Sequence, residues 1–140
     1  MKVMVLVKAT PETEQSGATP DNEMMEAMGR YNEELVNAGV MIAGEGLRDS
    51  SYGARVQFDG ADVRVVDGPF TESKELLAGF WIWEVKSFEE AVEWAKRCPR
   101  ADDETSELEL RQVFELEDFT DATPQIVERE TRLRDQLEGA

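Results

Sequence analysis

Between Gly79 and Val85 the chain carries Phe80, Trp81, Ile82, Trp83 and Val85, with Glu84 the one charge among them. Successive side chains of a strand point to opposite faces, so Phe80 and Ile82 face one way and Trp81, Trp83 and Val85 the other. A strand that is apolar on both sides belongs in the interior of a sheet, and both faces of that sheet then need cover. The remaining segments have to supply it.

Lys2 to Lys8 reads as a second such strand, apolar on both faces from Val3 to Val7. Ala9 to Thr19, with its Thr, Pro, Gln, Ser and Gly, reads as a flexible loop. A helix is expected next, with Thr19 as N-cap, Pro20 at the first position and Asp21 in the first turn. Its stripe is Met24, Met28, Tyr31 and Leu35, which reads as core packing rather than a methionine-rich binding face, and Gly39 supplies the left-handed stop. Val40 to Ala43 is a short strand running into Gly44-Glu45-Gly46-Leu47, where glycines predict a strand end or a close backbone approach. Asp49 stands where a dinucleotide fingerprint would have its third glycine, and the turn-like Asp49-Ser50-Ser51 follows instead of a helix.

Ala54, Val56 and Phe58 alternate with Arg55 and Gln57, Asp59-Gly60 marks a hairpin turn, and Val63, Val65 and Val66 return to Asp67. Ser87 to Glu90 forms a capping box for a helix with Phe88, Ala91, Val92 and Ala95 inward, closed by Cys98-Pro99. Leu108, Leu110 and Phe114 belong to a last strand over 107–114. Thr123-Pro124 opens a terminal helix with Glu128/Arg132 and Glu130/Arg134 at i,i+4 spacing and a thin stripe of Ile126, Leu133 and Leu137.

The order is β-α-β, a hairpin, β-α-β and an added helix. With the hairpin as an insertion this is an α+β, ferredoxin-like split βαβ plan: an antiparallel sheet with two helices on one face. Two helices shield one face only, so a second copy of the chain is the expected cover for the other, making a homodimer. Apolar residues at 41% and charged residues at 33% agree with a folded domain. No apolar run approaches the roughly 20 residues of a membrane span, and Met1 to Val7 lacks the length of a signal segment. One cysteine permits no internal disulfide and fits a reducing cytoplasm.

Charge and missing residue types narrow the chemistry. A net charge of -16 opposes a nucleic-acid backbone. Asp102, Asp103, Glu104, Glu107, Glu109, Glu115, Glu117, Asp118 and Asp121 face one cation, Arg111, across 101–121; this reads as a solvated acidic surface or as a docking face for a basic protein. The absence of histidine excludes Ser-His-Asp and Cys-His catalysis and His-ligated metals. No P-loop, EF-hand or dinucleotide motif is present, so neither a cofactor nor a resident metal is expected, although carboxylates alone could hold magnesium or calcium. Cys98, at a helix C-terminus, reads as a packing residue rather than a reactive thiolate.

The densest group of functional side chains is Asp67-Gly68-Pro69-Phe70-Thr71-Glu72-Ser73-Lys74-Glu75. Asp67, Glu72 and Lys74 could form an acid/base set beside Phe70, or simply an exposed turn with an ion pair. Glu34, Glu45 and Phe70 are the further pocket candidates. The same segment resembles the signature of the DGPF-motif branch of the YCII-related proteins. Met1 to Leu6, Asn32 to Leu35 with Ala38-Gly39-Val40, Ala43 to Leu47 and Arg97-Cys98-Pro99 fit that family in the same order. The resemblance covers roughly Met1 to Phe114, and the division it suggests is a domain over 1–116 with a helical extension over 117–140.

The resemblance implies a dimeric α/β-barrel type of ferredoxin-like fold with a pocket between sheet and partner. Similarity to proteins encoded beside extracytoplasmic-function sigma factors implies a regulatory setting. The wider group is read as enzymatic through a His-Asp pair, and this chain has no histidine to supply half of it. Two functions follow as expectations. One is a dimeric small-molecule-binding or regulatory protein; the other is an isomerase- or lyase-like enzyme using Asp67 or Glu72 with Lys74.

Overall fold

A computed structural model of the chain describes residues 1–71, 75–101 and 104–139. Its elements are β1 (Lys2–Lys8), α1 (Asn22–Asn37), β2 (Met41–Gly46), β3 (Ala54–Asp59), β4 (Asp62–Asp67), β5 (Leu77–Glu84), α2 (Phe88–Lys96), β6 (Leu108–Gln112) and α3 (Pro124–Glu138). Four strands form one antiparallel sheet in the order β2-β5-β1-β6, and β3 and β4 form a separate hairpin. The strand that is apolar on both sides, β5, is indeed interior, flanked by β1 and β2. No described helix is long and apolar enough to cross a membrane.

Register sorts the side chains. Val3 lies opposite Trp83, and Val5 opposite Trp81 and Leu110. This row packs on both helices, since Val3, Val5, Trp81, Trp83, Tyr31, Leu35 and Ala91 share one core. The Tyr31 hydroxyl donates to the Trp94 carbonyl at 2.6 Å, tying α1 to α2, and Trp81 Nε1 donates to Asn32 Oδ1 at 2.9 Å. Among the described residues Trp83 Nε1 is the buried side-chain polar atom without a partner. The other face carries Met4 opposite Ile82 and Leu6 opposite Phe80, half-buried, with Glu45, Glu109 and Arg111 outside them. The two core helices therefore lie on one face.

Local details depart from expectation in instructive ways. The cap of α1 is Asp21, whose carboxylate accepts from Met24 N at 2.8 Å, so the helix starts two residues later than a Thr19 cap would place it. A carboxylate is the stronger acceptor for these orphan donors and carries the favourable charge as well. Ser87 caps α2 through Glu90 N, but the Glu90 carboxylate reaches back to Lys86 N rather than Ser87 N, so the box is closed one residue early. β2 continues through Gly44, where a Cβ would lie 2.6 Å from Trp81 Cδ1; the close approach predicted there is real, and the strand passes it with an irregularity between Met41 and Ala43. Gly39 has φ +72 and ends α1 as expected. On α3 neither Glu128–Arg132 nor Glu130–Arg134 comes within ion-pair distance, as suits exposed charges whose attraction is screened.

Candidate functional site

The C-terminal end of β1, the C-terminal end of β2 and the N-terminal end of β5 lie at the same end of the sheet, because β5 runs antiparallel to both its neighbours. The loops leaving them meet there. Asp49 is buried, caps the short 3-10 turn Ser50–Tyr52 by accepting from Ser51 N and Oγ, and also accepts from Gly17 N at 2.9 Å. These donors hold its carboxyl below the usual carboxylate range, the Ser51 hydroxyl contributing most and the Gly17 N–H next.

Ser50 is the knot. Its hydroxyl donates to Glu14 Oε2 at 2.7 Å and accepts from Phe70 N at 3.0 Å, and its own N–H donates to the same Glu14 carboxylate at 3.2 Å. Gly68 is required beside it, because a Cβ there would meet the Ser50 carbonyl oxygen at 1.7 Å. Gly68 N in turn donates to the Gly53 carbonyl at 2.9 Å, closing the base of the hairpin, and the Gly68–Pro69 bond is cis. The Ser50 hydroxyl thus bridges two loops, donating to Glu14 on one and accepting from Phe70 N on the other.

Two guanidiniums lie over aromatic faces at this end: Arg48 over Tyr52 at 4.8 Å and Arg55 over Phe70 at 3.9 Å. Stacking leaves guanidinium edges able to hold an anion while the ring fixes their position. Among the described residues no group of three or more side chains is placed to hold a metal ion.

The sequence-predicted site residues are only partly together. Asp67 is the last residue of β4, opposite Ala54 and exposed, and Phe70 is half-buried in the loop knot. Glu72 and Lys74 lie outside the described residues. Glu45 stands on β2 opposite Phe80, on the face away from the helices. Glu34 is on α1, on the helical side, paired with Arg97. The sheet therefore separates Glu34 from Glu45, and they do not contribute to one pocket within a single chain. Two cavities, of about 1050 and 500 Å³, are lined by none of Asp67, Glu34, Glu45 and Phe70. The smaller contains Cys98, whose thiol is pushed up to about 11 by burial, against a slight lowering from Arg100.

Glu14, Asp49 and Ser50 were not foreseen as site residues. Asp49-Ser50-Ser51 shows as a turn in the sequence, but nothing local announces that Glu14 closes onto it from 36 residues away.

A family model of the YCII-related domain matches residues 1–117. The chain belongs to the YCII-related domain family. At the level of single proteins, the chain is similar to an uncharacterised protein of Rhizobium meliloti (strain 1021), 29% identical over 91 residues that cover 65% of this chain and 73% of the relative's own length.

Proposed function

We propose that this YCII-related chain is a dimeric small-molecule-binding protein with a regulatory role, of ferredoxin-like, dimeric α/β-barrel type and of the DGPF-motif branch. The observation that carries the reading is the open face of the sheet: Met4, Leu6, Phe80 and Ile82 at its centre, with Glu45, Glu109 and Arg111 at its margin. Such a face is suited to a second copy despite the net charge of -16, because the carboxylates stand at the rim. Burial of several hundred Å² of it contributes roughly 10 kcal/mol at about 25 cal/mol per Å². The antiparallel order β2-β5-β1-β6 supports the ferredoxin-like assignment.

In this reading the ligand lies where the open face meets the loop end, with Glu45, Asp67 and Phe70 from this chain beside it. The resemblance to proteins encoded beside extracytoplasmic-function sigma factors supports a cytoplasmic regulatory setting. Light scattering at micromolar concentration is expected to give a dimer mass, and Ile82→Glu a monomer; a monomer for the unmodified chain overturns the reading. A thermal-shift screen of small metabolites then supplies ligands, and stabilisation that survives Asp67→Ala argues against this site. Turnover of a stabilising compound, lost in Asp67→Asn, would instead establish the acid/base enzyme.

A further inference from the structure

The larger cavity, about 1050 Å³, lies at the opposite end of the sheet from the loop knot, where β1 begins at Lys2 and β5 ends at Glu84. Its larger apolar lining residues include Phe114, Leu116, Phe119 and Ile126. Phe114 and Phe119 pack on each other with ring centroids 4.8 Å apart, yet remain 69% and 50% exposed. Over one side stands α3, fifteen residues long with none buried. A helix of this length is marginal in water unless its apolar stripe is packed, and Ile126, Leu133 and Leu137 stay in solvent. The cleft thus has an aromatic floor and a helical wall, both left without a partner among the described residues.

Its rim is predominantly negative. Glu115, Glu117, Asp118 and Asp121 come from the segment leading into α3, and Glu84 and Glu130 from the two walls, against Lys2 and Arg134. Glu115, Glu117, Asp118 and Asp121 are the part of the acidic 101–121 run that lines this cleft, a run that reads in the sequence as either a solvated face or a docking face. A solvated acidic face needs no exposed aromatic pair beneath it; a docking face does. A second copy of a chain with net charge -16 is a poor occupant for such a rim.

We infer that the cleft between α3 and the 113–122 segment is a docking groove for a basic amphipathic helix of another protein. The partner's apolar stripe lies on Phe114, Phe119 and Ile126, and its lysines or arginines meet Glu115, Glu117 and Asp121. The groove is distinct from the loop knot and independent of the ligand reading above.

The probe is a labelled synthetic peptide of about 18 residues, made of leucine and lysine with leucines at i, i+3, i+4 and i+7 spacing. Fluorescence anisotropy against the full chain is expected to show saturable binding that weakens about tenfold as salt rises through the physiological range. Phe114→Ser with Phe119→Ser is expected to weaken it at least about tenfold, and Glu117→Lys with Asp121→Lys by a similar factor, both at unchanged far-ultraviolet circular dichroism. A shuffled peptide of the same composition is expected to bind at least about tenfold less tightly. Equal binding of the shuffled peptide, which would reduce the effect to unspecific charge attraction, overturns the inference, as does undiminished binding to the double serine variant. A fall in oligomeric mass on Phe114→Ser with Phe119→Ser assigns the cleft to a second copy and likewise overturns it.

Discussion

Substitution of Gly68 by alanine tests whether the loop end is held together through Ser50. The new Cβ would sit 1.7 Å from the Ser50 carbonyl oxygen, whereas ordinary contact begins near 3.4 Å, so backbone must retreat by roughly 1.7 Å. The atom in the way is main chain and cannot swing aside as a side-chain end can. A shift of that size breaks the 3.0 Å bond from Phe70 N to Ser50 Oγ and the 2.7 Å bond from Ser50 Oγ to Glu14. Two hydrogen bonds at about 1 kcal/mol each, with a partly buried donor left unpaired, sum to a loss of about 2–4 kcal/mol. Urea unfolding should show a midpoint about 1–2 M lower at unchanged slope. Gly46, with no atom within 4 Å of its built Cβ, is the control, and Gly46→Ala should fall within about 0.5 kcal/mol of the parent. Ser50→Ala removes the same side-chain bonds, so the Gly68→Ala/Ser50→Ala pair should be clearly less than additive. A Gly68→Ala loss below about 0.5 kcal/mol, or full additivity, would refute the reasoning.

Asp49 titrates below its ordinary value of 3.8 in the folded chain, so its contribution is complete above that value and is lost as pH falls through the depressed one. Acid unfolding of Asp49→Asn should therefore be flatter than that of the parent below pH 4, and an unchanged acid limb would contradict the assigned hydrogen bonds. The Cys98 thiol, raised to about 11, should react slowly with iodoacetamide at pH 8, its rate climbing only as pH approaches 11; a rate like that of a free thiol would show the side chain is open. Asn32→Ala leaves the buried Trp81 indole N–H without its acceptor and should cost about 1–3 kcal/mol in urea unfolding. A neutral result would mean that water replaces the amide.

The sheet was legible because its evidence is local and repeated: alternate residues of Val3–Val7 and Phe80–Val85 must face opposite sides wherever the strand lies. The helix faces were legible for the same reason, and Tyr31 and Leu35 are buried as their spacing requires. The loop knot was not legible. The segment 9–19 has the composition of a flexible loop, yet Thr10 is buried, exchanges hydrogen bonds with Thr13, and leads to Glu14 on Ser50. Composition reports the absence of a periodic apolar pattern; it does not report a polar residue whose partner is distant in sequence. Glu34 and Glu45, each a pocket candidate in the sequence, stand on opposite sides of the sheet, one on α1 beside Arg97 and the other on β2 opposite Phe80, a separation that spacing along the chain does not report.

The hairpin has a consequence for the protein in concentrated solution. Val56 pairs with Val65 and Phe58 with Val63, and all four side chains are exposed on one side of a two-stranded ribbon. On the other side Arg55 covers Phe70, and the base is pinned by Gly68 N on Gly53. The ribbon thus reaches out with an oily surface that attracts its like at short range. Between molecules of charge -16 the long-range force is repulsive, and it acts only over the Debye length, about 8 Å at physiological ionic strength. Salt shortens that reach without weakening the apolar attraction, so colloidal behaviour becomes a contest decided by ionic strength. At low salt the arms are kept apart, and as salt rises the same arms become adhesive, setting the concentration at which the molecules begin to cluster.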